Sequence, residues 1–124
     1  MTAEPDNGIN FKGLFASIDA MDTERFLGFI HEEGTFRFGS SPPVTGRDGI
    51  RAAVEGFFAT FAALRHEVDL LISDGSAVAC EGKVTYTRHD GSTITLPFAN
   101  VFGVEDGLIS TYHVYIDIGP LYTA

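Results

Sequence analysis

Apolar residues recur at a helical interval over the first half of the chain and at a strand interval over the second, with the change near His66. Phe11, Leu14, Phe15 and Ile18 stand at i, i+3, i+4 and i+7, which predicts an amphipathic helix from about Ile9. After a break at Asp19-Ala20-Met21-Asp22, Asp22 is placed to cap a second helix with Phe26, Phe29 and Ile30 on its inward face. His31 falls at the end of that helix, where an imidazolium suits the dipole. The stretch Thr35-Phe36-Arg37-Phe38 then alternates polar with aromatic, so a short strand carries Phe36 and Phe38 on one face. Beyond Pro42-Pro43, Thr45 and Asp48 have the spacing of a capping box. They open a long helix with the stripe Ile50, Val54, Phe57, Phe58 and Phe61, and Arg47 with Asp48 braces its start.

Three Asp-Gly pairs, at 74–75, 90–91 and 106–107, punctuate the rest of the chain and predict tight hairpin turns. They join four strands, about His66–Ser73, Ala77–Arg88, Thr93–Val104 and Leu108–Ile118, into an antiparallel meander. Alternation sorts the side chains into two faces. Val68, Leu70, Ile72, Cys80, Gly82, Val84, Tyr86, Leu96, Phe98, Asn100, Phe102, Tyr112, Val114 and Ile116 point inward, and Asn100 is the one amide among them. The opposite face runs through Thr85, Thr95, Pro97, Ala99, Val101, Thr111, His113 and Tyr115. Its middle is small and uncharged, so a second copy of the chain is the expected cover, giving a homodimer. Pro97 in mid-strand calls for a bulge or a locally unpaired neighbour. The fold class that follows is α+β. Three N-terminal helices pack in the concave face of a strongly curved, mainly antiparallel sheet, a cone-shaped barrel formed by one domain over residues 1–124.

Composition narrows the partners. A net charge of −9 repels phosphate backbones and anionic lipid, so neither nucleic acid nor a membrane is expected. No apolar stretch approaches the ~20 residues of a membrane span, and the first residues have no signal-peptide pattern, which predicts a cytoplasmic protein. The single cysteine, Cys80, lies in an apolar run and is expected as a buried thiol. There is no histidine pair at metal-ligand spacing, no phosphate loop and no dinucleotide fingerprint, so no metal and no cofactor are expected.

The order of helix, helix, short strand, GRDGI helix and meander resembles the nuclear transport factor 2-like superfamily. This group includes ketosteroid isomerase-like, limonene epoxide hydrolase-like and SnoaL-like members. The resemblance is carried by SIDAMDTERFLGFIHEEGTFRF, PPVTGRDGI and DGLISTYHVYID, and it spans about Phe11 to Leu121. It implies the cone fold with an internal pocket. Isomerase-like relatives imply a tyrosine where this chain has Leu14, an aspartate where it has Phe38, and a protonated acid where it has Asn100. Epoxide hydrolase-like relatives imply polar groups at Phe36, Phe38, Gly82, Val84 and Val114. Both constellations are thus replaced by apolar residues, and Asn100 alone keeps a hydrogen-bonding side chain.

Three readings of function remain open, the last being a dimeric interaction module whose cavity is incidental core. In the first, an apolar, Phe-rich cup walled by Leu14, Phe36, Phe38, Phe58, Phe98 and Val114 binds a small hydrophobic molecule, oriented by Asn100 with Tyr86 or Tyr112. In the second, the same pocket is that of an isomerase, cyclase or dehydratase acting on a hydrophobic ketone or polyketide, with Asn100 as oxyanion donor and His66 as base. The bland alternatives are a backbone-satisfied Asn100, tyrosines at the rim, and a His66 that bonds a helix-end carbonyl.

Overall fold

The structure, a computed structural model, describes residues 8–123. Helix α1 spans Phe11–Asp19 and is capped by Asn10, whose carboxamide accepts the Gly13 N–H at 3.0 Å. Helix α2, Thr23–Leu27, is capped by Asp22, as its sequence implies. It is shorter than the apolar pattern suggests. Ile30 and His31 belong not to the helix but to strand β1, Ile30–Phe38, so His31 has no helix end to stabilise. Strand β2 is the pair Val44–Thr45, and helix α3 runs Arg47–Phe58. The capping box is not formed. Thr45 pairs with Thr35 of β1, and Gly46, at φ +89°, caps α3 without a side-chain bond. Asp48 instead meets Arg51, which also grips Glu24 of α2. Arg47 turns back to donate two hydrogen bonds to the Ile30 carbonyl, at 2.7 and 3.0 Å, and so fixes the start of β1 against α3.

The meander follows as β3 (Ala63–Asp74), β4 (Ala77–Thr87), β5 (Thr93–Glu105) and β6 (Leu108–Tyr115), ending in a 3-10 turn at Gly119–Tyr122. The six strands lie in the order β2-β1-β6-β5-β4-β3, antiparallel throughout except for the β1–β6 pair. Only the Asp106-Gly107 turn has both residues at positive φ; at the other two Asp-Gly sites glycine alone does. Asp74 in fact pairs with Ala77, so the first tight turn is Gly75-Ser76.

Breaks in register shape the sheet. The β3–β4 ladder shifts between Val68 and Leu70, which moves Leu71 opposite Cys80 and turns Leu70 and Ile72 off the inner face. Strict alternation from His66 therefore fails after Asp69, and Ile72 is 56% exposed. At the same place Gly82 opposes Val68, and a Cβ there would collide with the Glu67 carbonyl. Glycine lets the two backbones close up where β3 bends. A further shift lies between Gly103 and Val104. Pro97 needs no bulge: it pairs with Lys83 in an unbroken β4–β5 ladder, and its other side is free because β6 pairing stops at Ala99.

The result is an α+β cone, a curved sheet closed over its helices. The helical stripes meet the inner face in one core that includes Leu14, Ile50, Phe26, Phe61 and Phe102. Cys80 is buried there, and desolvation pushes its thiol up to about 12. Among the described residues no helix is long and apolar enough to cross a membrane.

Candidate functional site

Between the helices and the sheet the core does not close completely. An inner chamber remains between Ile18 of α1, Phe26 of α2, β1, α3 and the sheet, with about 50 Å³ in which a water-sized sphere can move. Of the sequence-derived candidates, Phe36, Phe38, Phe58, His66, Phe98, Asn100, Tyr112 and Val114 lie on its wall. Leu14 does not; it is fully buried in the core behind the wall. Tyr86 does not either, because its ring packs behind Phe57 and Phe61, with centroids 6.0 and 5.0 Å away. Neither tyrosine is at a rim: Tyr86 and Tyr112 are both buried, and desolvation raises both phenols above their ordinary values.

Asn100 is the first polar feature of the chamber. It lies mid-strand on β5 between Cys80 of β4 and Val114 of β6, and is 2% exposed. Its Oδ1 is buried and has no hydrogen-bond partner among the described residues. Most buried carbonyl oxygens are satisfied, and an orphan costs ~1–3 kcal/mol. A half-turn of the carboxamide would offer its NH2 to a carbonyl instead.

His66 is the second. It stands near the start of β3, opposite Val84, with its ring between Phe15 and Phe98, at 5.1 and 5.2 Å. Its partner is a carboxylate, not the helix-end carbonyl considered from sequence. Asp19, the last residue of α1, meets Nδ1 at 2.6 Å and accepts the His66 backbone N–H at 3.0 and 3.1 Å. With Nδ1–H donating to the carboxylate, Nε2 is left as the nitrogen that can accept a proton. The site thus contains an imidazole, a carboxylate bonded to it and an amide oxygen without a partner, in walls that are otherwise aromatic or aliphatic.

Asp19 was missed in the sequence reading, although a signal exists. A carboxylate in the last turn of a helix opposes the dipole, so its presence there calls for a partner. Phe57, Val54 and Leu64 were also missed as wall residues. Phe57 and Val54 were assigned only to the packing stripe of α3.

A second, outer chamber of about 330 Å³ adjoins the first between β1, the loop after it, α3 and the terminal 3-10 turn. Phe36, Phe38, Val54 and Phe57 belong to the walls of both chambers. Elsewhere the polar groups serve structure. His113 faces Gly39 O at 3.2 Å, His89 faces Ala59 O at 3.0 Å, and Asp117 caps Gly119. Among the described residues no three His, Cys, Asp or Glu side chains gather in a way that could hold a metal ion.

Comparison with known proteins agrees with this architecture. The family profile described as a SnoaL-like domain matches residues 11–112. No curated protein sequence matches significantly. Among solved structures, a putative SnoaL-like polyketide cyclase from Jannaschia sp. CCS1 is 18% identical, with a TM-score of 0.80 over 92% of this chain and 87% of that one. A protein of ketosteroid isomerase-like fold from Catenulispora acidiphila, in complex with trimethylamine, is 14% identical, with a TM-score of 0.77 over 85% and 82%. An LEH-like epoxide hydrolase of M. tuberculosis is also 14% identical, with a TM-score of 0.74 over 87% and 80%. At these identities the likeness is one of fold.

Proposed function

The chain belongs to the SnoaL-like domain family, and from that premise we propose that it binds a neutral, largely apolar small molecule through one hydrogen-bonding oxygen. The observation that carries this reading is the buried, unpartnered Oδ1 of Asn100 on an apolar chamber. A hydrocarbon would leave the amide without a partner, whereas a hydroxyl could donate to Oδ1 and a carbonyl could accept from the NH2 after the half-turn. Among the described wall residues only His66 could pair with a charged ligand.

The Asp19–His66 contact favours a second step on the same ligand, acid–base chemistry of the isomerase, cyclase or dehydratase kind. With the carboxamide turned so that its NH2 faces the ligand, an apolar ketone would accept a hydrogen bond from that NH2 at its carbonyl, and His66 Nε2 would take a proton from the adjacent carbon. Asp19 would hold the imidazole in the right tautomer. Polyketide cyclase-like neighbours lie in the same region of structure space.

The test separates binding from chemistry. 2-Octanone is titrated into the protein, and exchange of its α-protons for deuterium is followed by NMR in D2O. Binding with exchange above background supports both steps. His66→Gln should then retain binding and lose exchange by roughly 10²–10⁴-fold, and Asp19→Asn should reduce the rate at unchanged affinity. Binding without exchange leaves a binding protein only, and no binding removes the proposal. We propose also that the outer sheet face, where Val101 and Tyr115 are 45% and 50% exposed, pairs with a second copy.

A further inference from the structure

The inner chamber is too small for a whole ligand. Its 50 Å³ is far below the roughly 300–1,000 Å³ of sites that enclose drug-sized molecules, whereas the outer chamber offers 330 Å³. The two meet along one shared wall. Phe38 and Phe57 form its bar, with ring centroids 4.7 Å apart. Both are only half-buried, unlike Phe26, Phe61 and Phe102, which are at most 2% exposed. Two half-buried rings therefore stand between the chambers.

The outer chamber is a built wall, not a gap beside a loose terminus. Tyr122, on its far side, has its hydroxyl 3.0 Å from Thr60 Oγ1, just beyond α3. Arg88 donates at 2.9 Å to the carbonyls of both Pro120 and Leu121. These bonds pin the terminal 3-10 turn across the chamber. Among the described residues its lining holds no Lys, Arg, Asp or Glu; Ser41 and Tyr122 are the polar side chains among them and the rest are apolar. A charged group enclosed there would lose hydration without gaining a partner.

We propose that the ligand is a two-part molecule. Its small oxygen-bearing head occupies the inner chamber, and an extended, uncharged apolar tail lies past Phe38 and Phe57 in the outer chamber. Ala53, a small residue of α3 on the outer wall, sets the space available to the tail. This rests on the binding reading above, because Asn100 anchors the head.

The experiment is a chain-length series. 2-Alkanones from 2-hexanone to 2-dodecanone are titrated calorimetrically into the full chain. Each added methylene should tighten binding by about fourfold until the outer chamber is full, after which the gain stops. Ala53→Phe should remove the gain while leaving 2-hexanone within twofold. Ala53→Leu, which adds less bulk, should bring the plateau to shorter chains and serves if the larger residue upsets folding. If 2-hexanone binds but the series is flat, the tail site is refuted and the binding reading stands. A length gain unchanged in both Ala53 variants would place the tail elsewhere and also refute it. If no ketone of the series binds, both readings fall.

Discussion

Replacing Asn100 by leucine should make the protein more stable and worse at binding its ligand. The side chain is 2% exposed, its Oδ1 has no partner, and its cross-strand neighbours Cys80 and Val114 are apolar. An unsatisfied buried carbonyl costs ~1–3 kcal/mol, and leucine, of similar size, removes that cost and adds apolar contact. Urea denaturation should therefore show the unfolding free energy raised by about 1–2 kcal/mol with an unchanged slope. Affinity should move the other way for a ligand that uses the amide. 2-Octanone should bind about 5-fold to 150-fold more weakly, the equivalent of ~1–3 kcal/mol, whereas 2-methyl-1-octene, its hydrocarbon counterpart, should change less than twofold. A gain in stability bought by loss of binding marks a residue kept for function. If Asn100→Leu is instead destabilised by more than about 1 kcal/mol, or weakens both ligands equally, Asn100 is structural and the site loses its anchor.

Alkaline pH should unfold the protein in a defined window. Burial raises the Cys80 thiol from 9.0 to about 12 and pushes the Tyr112 and Tyr86 phenols upward. The unfolded chain loses these protons first, so stability is complete below the unfolded values and is lost as pH rises through the folded ones. Urea titrations should show loss beginning near pH 9 and approaching ~1.4 kcal/mol per pH unit for each group, with Cys80→Ala shallower between pH 9 and 10; a flat profile to pH 10.5 would contradict the buried assignments. Sedimentation at micromolar concentration should give about twice 13.4 kDa, and Ala99→Arg, a charge on the outer face, should yield the monomer. A variant that stays dimeric would move the interface elsewhere.

Periodicity carried the architecture because helices and strands expose one face each, and both periods are plain in the chain. It failed where a residue was inserted or a backbone crossed another. Leu70 and Ile72 are misassigned by parity because one extra residue at Asp69 reverses every side chain after it, and no local residue type announces such a bulge. Thr45 and Asp48 fit a capping box in spacing, but the β1 edge competes for Thr45 and wins through a backbone ladder. The candidate wall was legible only where parity held and no second layer intervened. Tyr86 has the right parity, yet its ring is packed against Phe57 and Phe61 in the core. Asp19 pairs with a residue 47 positions away, a contact that no local pattern encodes.

The local geometry around Asp19 shows why that contact is more than a convenient surface pair. Asp19 ends α1 with its charge against the helix dipole, an arrangement that costs ~0.3–1 kcal/mol when unpartnered. Two residues on, Met21 sits at φ +55°, a left-handed conformation that glycine usually takes and that costs other residues about 1 kcal/mol or more. The turn is nonetheless locked, since Met21 N–H reaches Ile18 O at 2.8 Å and Asp22 N–H reaches Ser17 O at 3.0 Å. Two locally unfavourable choices within three residues thus aim one carboxylate at the ring and backbone of His66. The Asp19–His66 pair spans the end of α1 and the start of β3, whereas the short strand β1 offers the chamber only Phe36 and Phe38. Strain gathered beside a histidine of the chamber wall, in a chain whose helix could have ended on glycine without it, is the pattern expected when the position of His66 matters more than the stability of the turn.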